Sequence, residues 1–372
     1  MDATQGDLSQ ASSDLPGQLV LVLQGGGAIG AYQAGVYQAL QEAGLEPDWI
    51  IGTSIGAINA SLIAGNEPED RLTKLRTFWS RIERKAIWNL PTGLPDLDAK
   101  IASWATLAGG IPGFFRPNPL ARAGDFYPLG ADNAGFYSTA PLQDTLDELV
   151  DFSLANRCKP RLTVGAAQVR TSEMHYFDSR DSELAVKHIM ASGALPPAFP
   201  AIRIDGELYW DGGILSNTPT EVVFEDNPRK NSLIFAVHLW NPIGHEPTTM
   251  SEVFNRYKDV QYSSRIASQI ARHQQSHRLR HVIDQLASRL SEGERADPAV
   301  RELIAYGCRT RMHVVRLLAP RLDHETHTKD IDFSAKGIMQ RWDLGYADTK
   351  AVLERAPWRD EFDPLKGVIL HD

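Results

Sequence analysis

LVLVLQGGGAIG, residues 19–30, decides the fold. Its first half is an apolar run of strand length with no polar alternation, the mark of a strand buried on both faces, as the strands of parallel sheets are. A glycine-rich loop follows. Over residues 31–43 small and apolar side chains then recur at helical spacing (Val36, Leu40, Ala43), and Gly44 stands where a helix C-cap is wanted. Trp49, Ile50 and Ile51 predict a second short strand, and residues 52–60 turn sharply into another apolar helix. The opening of the chain therefore reads strand, glycine loop, helix, strand, elbow, helix, which is α/β. Further buried strands are expected at 162–169, 208–210, 233–239 and 313–318.

Length and composition bound the rest. At 372 residues the chain exceeds the size at which one core usually stops growing, so a large domain with an appended part is expected. With 42% hydrophobic and 23% charged residues it has the material for a sizeable core and is neither disordered nor low-complexity. A net charge of -9 argues against a general nucleic-acid binder, which needs a basic face for phosphate. Cys158 and Cys308 stand far apart without CxxC spacing, so no disulfide framework or cysteine zinc site is expected and a reducing, cytoplasmic setting fits. Residues 1–17 read as a disordered polar tail without a signal sequence, and no apolar run is long enough to span a bilayer. Between 91 and 141 the pattern dissolves into Gly, Pro and aromatic residues, too long for an ordinary connection and therefore a cap, lid or binding insertion. From 243 to 372 the chain reads as mainly helical, with two amphipathic blocks in 251–290 separated by the polar run 273–277.

Three motifs carry chemistry. Gly52-Thr-Ser54-Ile-Gly56 matches the G-x-S-x-G elbow, and here it has the required context between a strand and a helix. Gly25, Gly26 and Gly27, with Gly30 closing the loop, leave successive backbone N–H groups able to close around an anion at a helix start. That loop also satisfies GxGxxG, so an oxidoreductase binding a dinucleotide is the rival reading. The rival wants an acid at the end of the second strand, and Asp48 precedes that strand instead, which favours an oxyanion hole for acyl transfer. A serine nucleophile needs a base. Asp211, followed by Gly212 and Gly213 after a short strand, supplies a carboxylate held at an exposed strand end.

GGGAIG, GTSIGA, the run ASGALPPAFPAI at 191–202 and DGG, in this order, resemble the patatin-like phospholipases over about residues 18–241. The resemblance implies a three-layer α/β/α sandwich of patatin type with a central, mostly parallel sheet, spanning 18–242, and a helical C-terminal module at 243–372. It implies a lipid acyl hydrolase with a Ser-Asp dyad, no cofactor, no metal and no catalytic histidine. By motif position Ser54 becomes the nucleophile, Asp211 the proton acceptor, and the Gly25 to Gly27 loop the oxyanion site. Family members often carry Arg or Lys where this chain has Gly30, so a head-group contact from that cation is not expected. The run 323–346 resembles the C-terminal part of a bacterial subgroup, whose association with hydroxybutyrate metabolism makes short hydroxybutyrate esters an alternative substrate.

Opposing readings remain. His238 or His313 could complete a Ser, Asp, His triad, although neither lies in a recognisable loop motif. His324 and His327 have a spacing that invites a metal, with no evident third ligand. Phe333, Ile338, Met339 and Trp342 are expected to share one packed helical face. The expected partners are a lipid ester substrate and, transiently, an anionic membrane surface, reached through Trp104, Ile111, Phe114 and Phe115 together with the basic stretch 256–289, the alternative for the aromatic loop being a cap packed over the acyl pocket.

Overall fold

The structure is a computed structural model that describes residues 15–84, 108–123, 127–263, 266–322, 325–363 and 365–371. Trp104, Asp323 and His324 lie outside the described residues, as does most of the expected tail. The strands are β1 Gln18–Leu23, β2 Trp49–Thr53, the short pair β3 Arg116–Pro117 and β4 Tyr137–Ser138, then β5 Arg161–Gln168, β6 Met174–Asp178, β7 Ile202–Ile204, β8 Glu207–Asp211, β9 Ser232–His238, β10 Met312–Leu318 and β11 Val368–His371. All but β3 and β4 join one sheet, ordered β11-β10-β9-β1-β2-β5-β8-β7, with β6 also on β5. From β11 to β5 every pairing is parallel, and β6, β7 and β8 add an antiparallel margin.

Alternation along β1 divides the core. Leu19, Leu21 and Leu23 belong to one buried cluster, whereas Val20 and Val22 belong to the other with Phe224 and Ile270. Strand side chains alternate between faces, so both faces of the sheet are covered and the expected three-layer sandwich is what forms. The helices that matter to the site are α1 Ala31–Glu42, α2 Ile55–Ala64, α3 Val186–Ser192, α4 Met250–Tyr262, α5 Ile266–Ala287 and α6 Ala335–Arg355.

One register detail positions the site. On β5, Gly165 pairs with Thr53 of β2 and the next residue, Ala166, pairs with Asp211 of β8. Since β6 occupies the other side of β5 over both residues, β2 and β8 lie on the same side and meet end to end. Ser54, the residue after Thr53, is thereby delivered to Asp211.

The C-terminal part departs from expectation in three places. It is mainly helical and supplies the strand expected at 313–318 as β10, but it also adds β11 to the central sheet and does not stand apart from it. The helix break falls after Tyr262, not at 273–277. His273 stacks on Phe224 and His277 is buried, so the two histidines of the polar run turn inward while Leu279 and Leu286 are exposed. Of the expected face on α6 and the residues before it, Phe333 and Ile338 are buried but Met339 points to solvent.

Candidate active site

Ser54 sits between β2 and α2 with φ 57 and ψ -125, a left-handed conformation that a non-glycine residue adopts only under strain of roughly 1–3 kcal/mol. The elbow is over-determined by its neighbours. Ala57 and Ile58 donate their amides to the Ser54 carbonyl at 2.9 and 3.2 Å, and the Ser54 amide donates to Ser192 Oγ at 3.0 Å. Ser192, at the end of α3, donates its own hydroxyl to the Gly165 carbonyl at 2.6 Å, which ties the elbow to β5. Gly52 faces Gly56 across the turn, and any Cβ on Gly56 would collide with the Leu23 carbonyl, so the turn requires glycine there.

Asp211 is 3% exposed. Burial lifts its carboxyl to about 6, and the Ser54 hydroxyl and the Gly213 amide beside it pull it partly back. The Gly213 N–H reaches Oδ1 at 2.7 Å, and Gly212 is pressed against the Gly165 backbone. Ser54 and Asp211 thus form a hydroxyl and carboxylate pair in which the carboxylate's proton affinity is raised toward neutrality, as a general base requires.

The glycine loop is held from behind. Gly25 is not an open donor, because its amide is taken by the Asn217 side chain at 3.1 Å. Its carbonyl accepts from Trp240 Nε1 at 2.8 Å and from Asn217 Nδ2 at 3.2 Å. The amides of Gly26 and Gly27 meet no acceptor among the described residues, and both residues line the cavity beside Ser54. Gly27 has φ 57, and a Cβ there would strike the Asp330 carbonyl, so the segment ending at Phe333 packs directly on the loop. Gly30 lies against the Ile55 side chain, inside the protein, where a cation would have no room.

The cavity has a volume of about 220 Å³ and is lined chiefly by apolar side chains, among them Ile58, Phe114, Phe115, Leu142, Met190, Phe199 and Phe333. No histidine lines it among the described residues. His238 is buried at the end of β9, pushed down to about 3 by burial and by Arg316. His313 pairs with His371 at 3.1 Å on the far strands. His327 Nδ1 lies 3.2 Å from Ser251 Oγ.

Phe114 and Phe115 are only 9% and 5% exposed. Phe114 packs edge-on against Phe333 at 5.7 Å, and Phe115 against Tyr137 at 4.9 Å. They form a wall of the cavity and do not present a surface to lipid, which corrects their expected docking role. The basic stretch is also partly consumed: Lys258 pairs with Asp330 at 2.7 Å, and Arg256 donates to the Pro242 carbonyl at 2.7 Å.

With a strained serine, a buried carboxylate and an apolar cavity in place, comparison with known families is decisive. The patatin-like phospholipase model matches residues 21–224, more than half of the chain. The chain belongs to the patatin-like phospholipase family. A second model, described as patatin phospholipase, matches residues 260–365, so most of the C-terminal part also has relatives. Similar proteins include lysophospholipase NTE1 of Saccharomyces cerevisiae, 28% identical over 68% of this chain, and neuropathy target esterase sws of Drosophila melanogaster, 26% identical over 59% of it. Those alignments cover 13% and 14% of the relatives, so this chain matches only a small part of their length. VipD from Legionella pneumophila is similar with a TM-score of 0.40 and 16% identity over 96% of this chain and 72% of that one.

Within the family frame, the motif residues converge as expected, while their supports went unread. Ser192 lies inside the quoted run 191–202, and Asn217 follows Asp211-Gly-Gly closely, so proximity to a motif was the available signal. Trp240, Tyr262 and Asp330 carried no local signal, since tertiary packing alone brings them to the glycine loop.

Proposed function

We propose that this member of the patatin-like phospholipase family is a serine lipid acyl hydrolase, of the phospholipase A or lysophospholipase kind, working through a Ser54–Asp211 dyad. The observation that carries the reading is the pair itself: a serine in strained backbone geometry, brought by the register of β2, β5 and β8 to a buried carboxylate whose proton affinity is raised, with both residues lining one apolar cavity. Ser54 Oγ attacks the ester carbonyl carbon while Asp211 takes the hydroxyl proton. The tetrahedral oxyanion accepts N–H bonds from Gly26 and Gly27, the two amides left open by the loop. Asp211 returns the proton to the departing alcohol, then takes one from the water that attacks the acyl-enzyme and hands it back to Ser54 as the acid leaves. The narrower oxyanion assignment follows from Asn217, which occupies the Gly25 amide.

The lining favours an unsubstituted acyl chain over a short hydroxybutyrate ester, because the wall of aromatic and aliphatic side chains offers a chain hydroxyl little to bond. The names of the relatives point to lysophospholipids as the first substrates to assay. The dinucleotide alternative loses its ribose partner, since the Asp48 carboxylate accepts the Leu19 amide at 2.8 Å.

Fluorophosphonate labelling tests the proposal. Wild type is expected to be modified on Ser54 and to hydrolyse lysophosphatidylcholine. Ser54→Ala is expected to abolish both, and Asp211→Asn to lower the hydrolysis rate by at least about a thousandfold while the protein stays folded. Retention of more than about a tenth of the rate in Asp211→Asn, with a dead histidine variant, replaces the dyad by a triad.

A further inference from the structure

Helix α4 is amphipathic the wrong way round for a protein surface in water. Its inner face is polar: Asp259 is fully buried, pairing with Arg321 at 2.7 Å and Lys329 at 2.6 Å, and Lys258 reaches Asp330. Its outer face carries Met250, Val253, Phe254, Tyr257 and Val260, at i, i+3, i+4, i+7 and i+10, all exposed. Phe254 is 52% exposed and Tyr257 62%. At helical spacing these positions form one continuous stripe, and an exposed apolar patch of this kind on a soluble protein marks a surface used for binding.

We propose that the apolar stripe of α4 seats the enzyme on a phospholipid bilayer, with the substrate cavity held at the lipid surface. The choice of lipid rests on the hydrolase reading above and on three observations. First, the helix is physically continuous with the site. The carbonyl of Tyr262, in its last turn, accepts from Asn217 Nδ2 at 2.9 Å and from Gln24 Nε2 at 3.2 Å, and Tyr262 itself lines the cavity. Second, no unpaired charge interrupts the stripe: Lys258 is drawn away to Asp330, Arg256 to the Asn241 and Pro242 carbonyls, and Glu252 and Asp259 lie on the other face, so the apolar side chains can enter a bilayer without desolvating a free charge. Third, the stripe is too small for a stable second copy. Five half-exposed side chains offer roughly 500 Å², against about 800 Å² per partner in a stable dimer, while an interfacial helix needs only its own apolar face buried.

The test uses the full chain and separates docking from catalysis. In a Ser54→Ala background, which leaves lipid intact, co-sedimentation is measured with vesicles of phosphatidylcholine containing one fifth phosphatidylserine. Phe254→Ser/Tyr257→Ser is expected to weaken partitioning by about tenfold or more. With Ser54 restored, the same double variant is expected to keep the wild-type rate on a water-soluble short-chain ester and to lose rate on vesicular lipid in proportion to its lost binding. Unchanged partitioning of the double variant, or no binding by the parent, overturns the proposal. So does a parent that sediments as a dimer and becomes a monomer on the double substitution, which would make the stripe a contact between copies. If the double variant also loses the soluble-ester rate, Tyr257→Trp decides: an added emission that shifts to the blue on vesicle addition supports docking, and an unshifted one overturns it. A parent that binds vesicles through the stripe yet leaves every ester intact would instead count against the hydrolase reading alone.

Discussion

Asp211 is the residue on which chemistry and stability meet. Its folded value of about 6 lies above the ordinary 3.8, so the folded state binds this proton more tightly than the unfolded chain does. The stability gained from that proton is full below about pH 4 and is lost as pH rises through about 6. With Asp211 as the proposed base, activity runs the other way, because the base must be ionised. The acidic limb of kcat/KM should therefore have its midpoint near pH 6, close enough to an ordinary imidazole that its position alone identifies nothing. Persistence of the limb after single replacement of every histidine, and its displacement in Asp211→Glu, would assign it to the carboxylate. Asp211→Asn should in turn be more stable than wild type at pH 8, by up to about 3 kcal/mol. That margin should shrink as pH falls below 6. Urea unfolding at pH 8 and pH 4 measures both, and a variant destabilised at pH 8 would mean that the buried carboxylate is held by more than the Gly213 amide and the Ser54 hydroxyl beside it.

At the scale of elements, the closest helix packing joins the two ends of the chain. Gly35 on α1 lies against the Trp342 carbonyl of α6, and Gly345 on α6 against the Tyr32 carbonyl of α1, so the two backbones approach as only glycine allows. Polar pairs flank the contact: Trp342 Nε1 donates to Gln38 Oε1, Tyr346 to Glu42, and Tyr32 to Asp348, each at 2.7 Å. Gly345→Leu should push the helices apart and cost several kcal/mol, seen as a large fall in the unfolding midpoint, whereas Met339→Ala on the exposed side should change it by less than about 0.5 kcal/mol. This packing also explains what could be read in advance. The strand, elbow and helix units of residues 18–64 were legible because period and turn chemistry are local. Strand β11 and the inverted α4 were not. The first is a short run beside polar residues that becomes a strand only because β10 presents a free edge. The second breaks the rule that apolar faces turn inward, since its inner face is occupied by the ion pairs of Asp259 and Lys258.

For the whole molecule, the C-terminal third is a structural partner of the proposed catalytic machinery. Asp330, Ile331 and Phe333 line the cavity, and the Asp330 carbonyl abuts Gly27. Lys329, buried between Asp259 and the face of Trp240 at 5.1 Å, braces the indole that holds the Gly25 carbonyl. Removal of everything after Pro320 would strip α6 from α1, take β11 from the sheet edge and open the cavity wall at Phe333. It would also leave Asp259 buried with Arg321 and Lys329 both gone, an uncompensated charge that costs about 3–5 kcal/mol by itself. Such a chain should be insoluble, or soluble with no measurable hydrolysis and no fluorophosphonate labelling. A milder change separates folding from function: Lys329→Met/Asp259→Leu removes the buried pair together and leaves Arg321, whose side chain is 28% exposed and can be solvated, so the protein should fold, while the glycine loop loses its brace. The expected result is a fall of about tenfold or more in kcat with KM little changed, because the loop contacts the transition state more than the bound ester. A truncated chain that is soluble and fully active would show that the glycine loop holds its shape without the C-terminal segment, and the bracing role argued for Lys329 and Asp330 would fall with it.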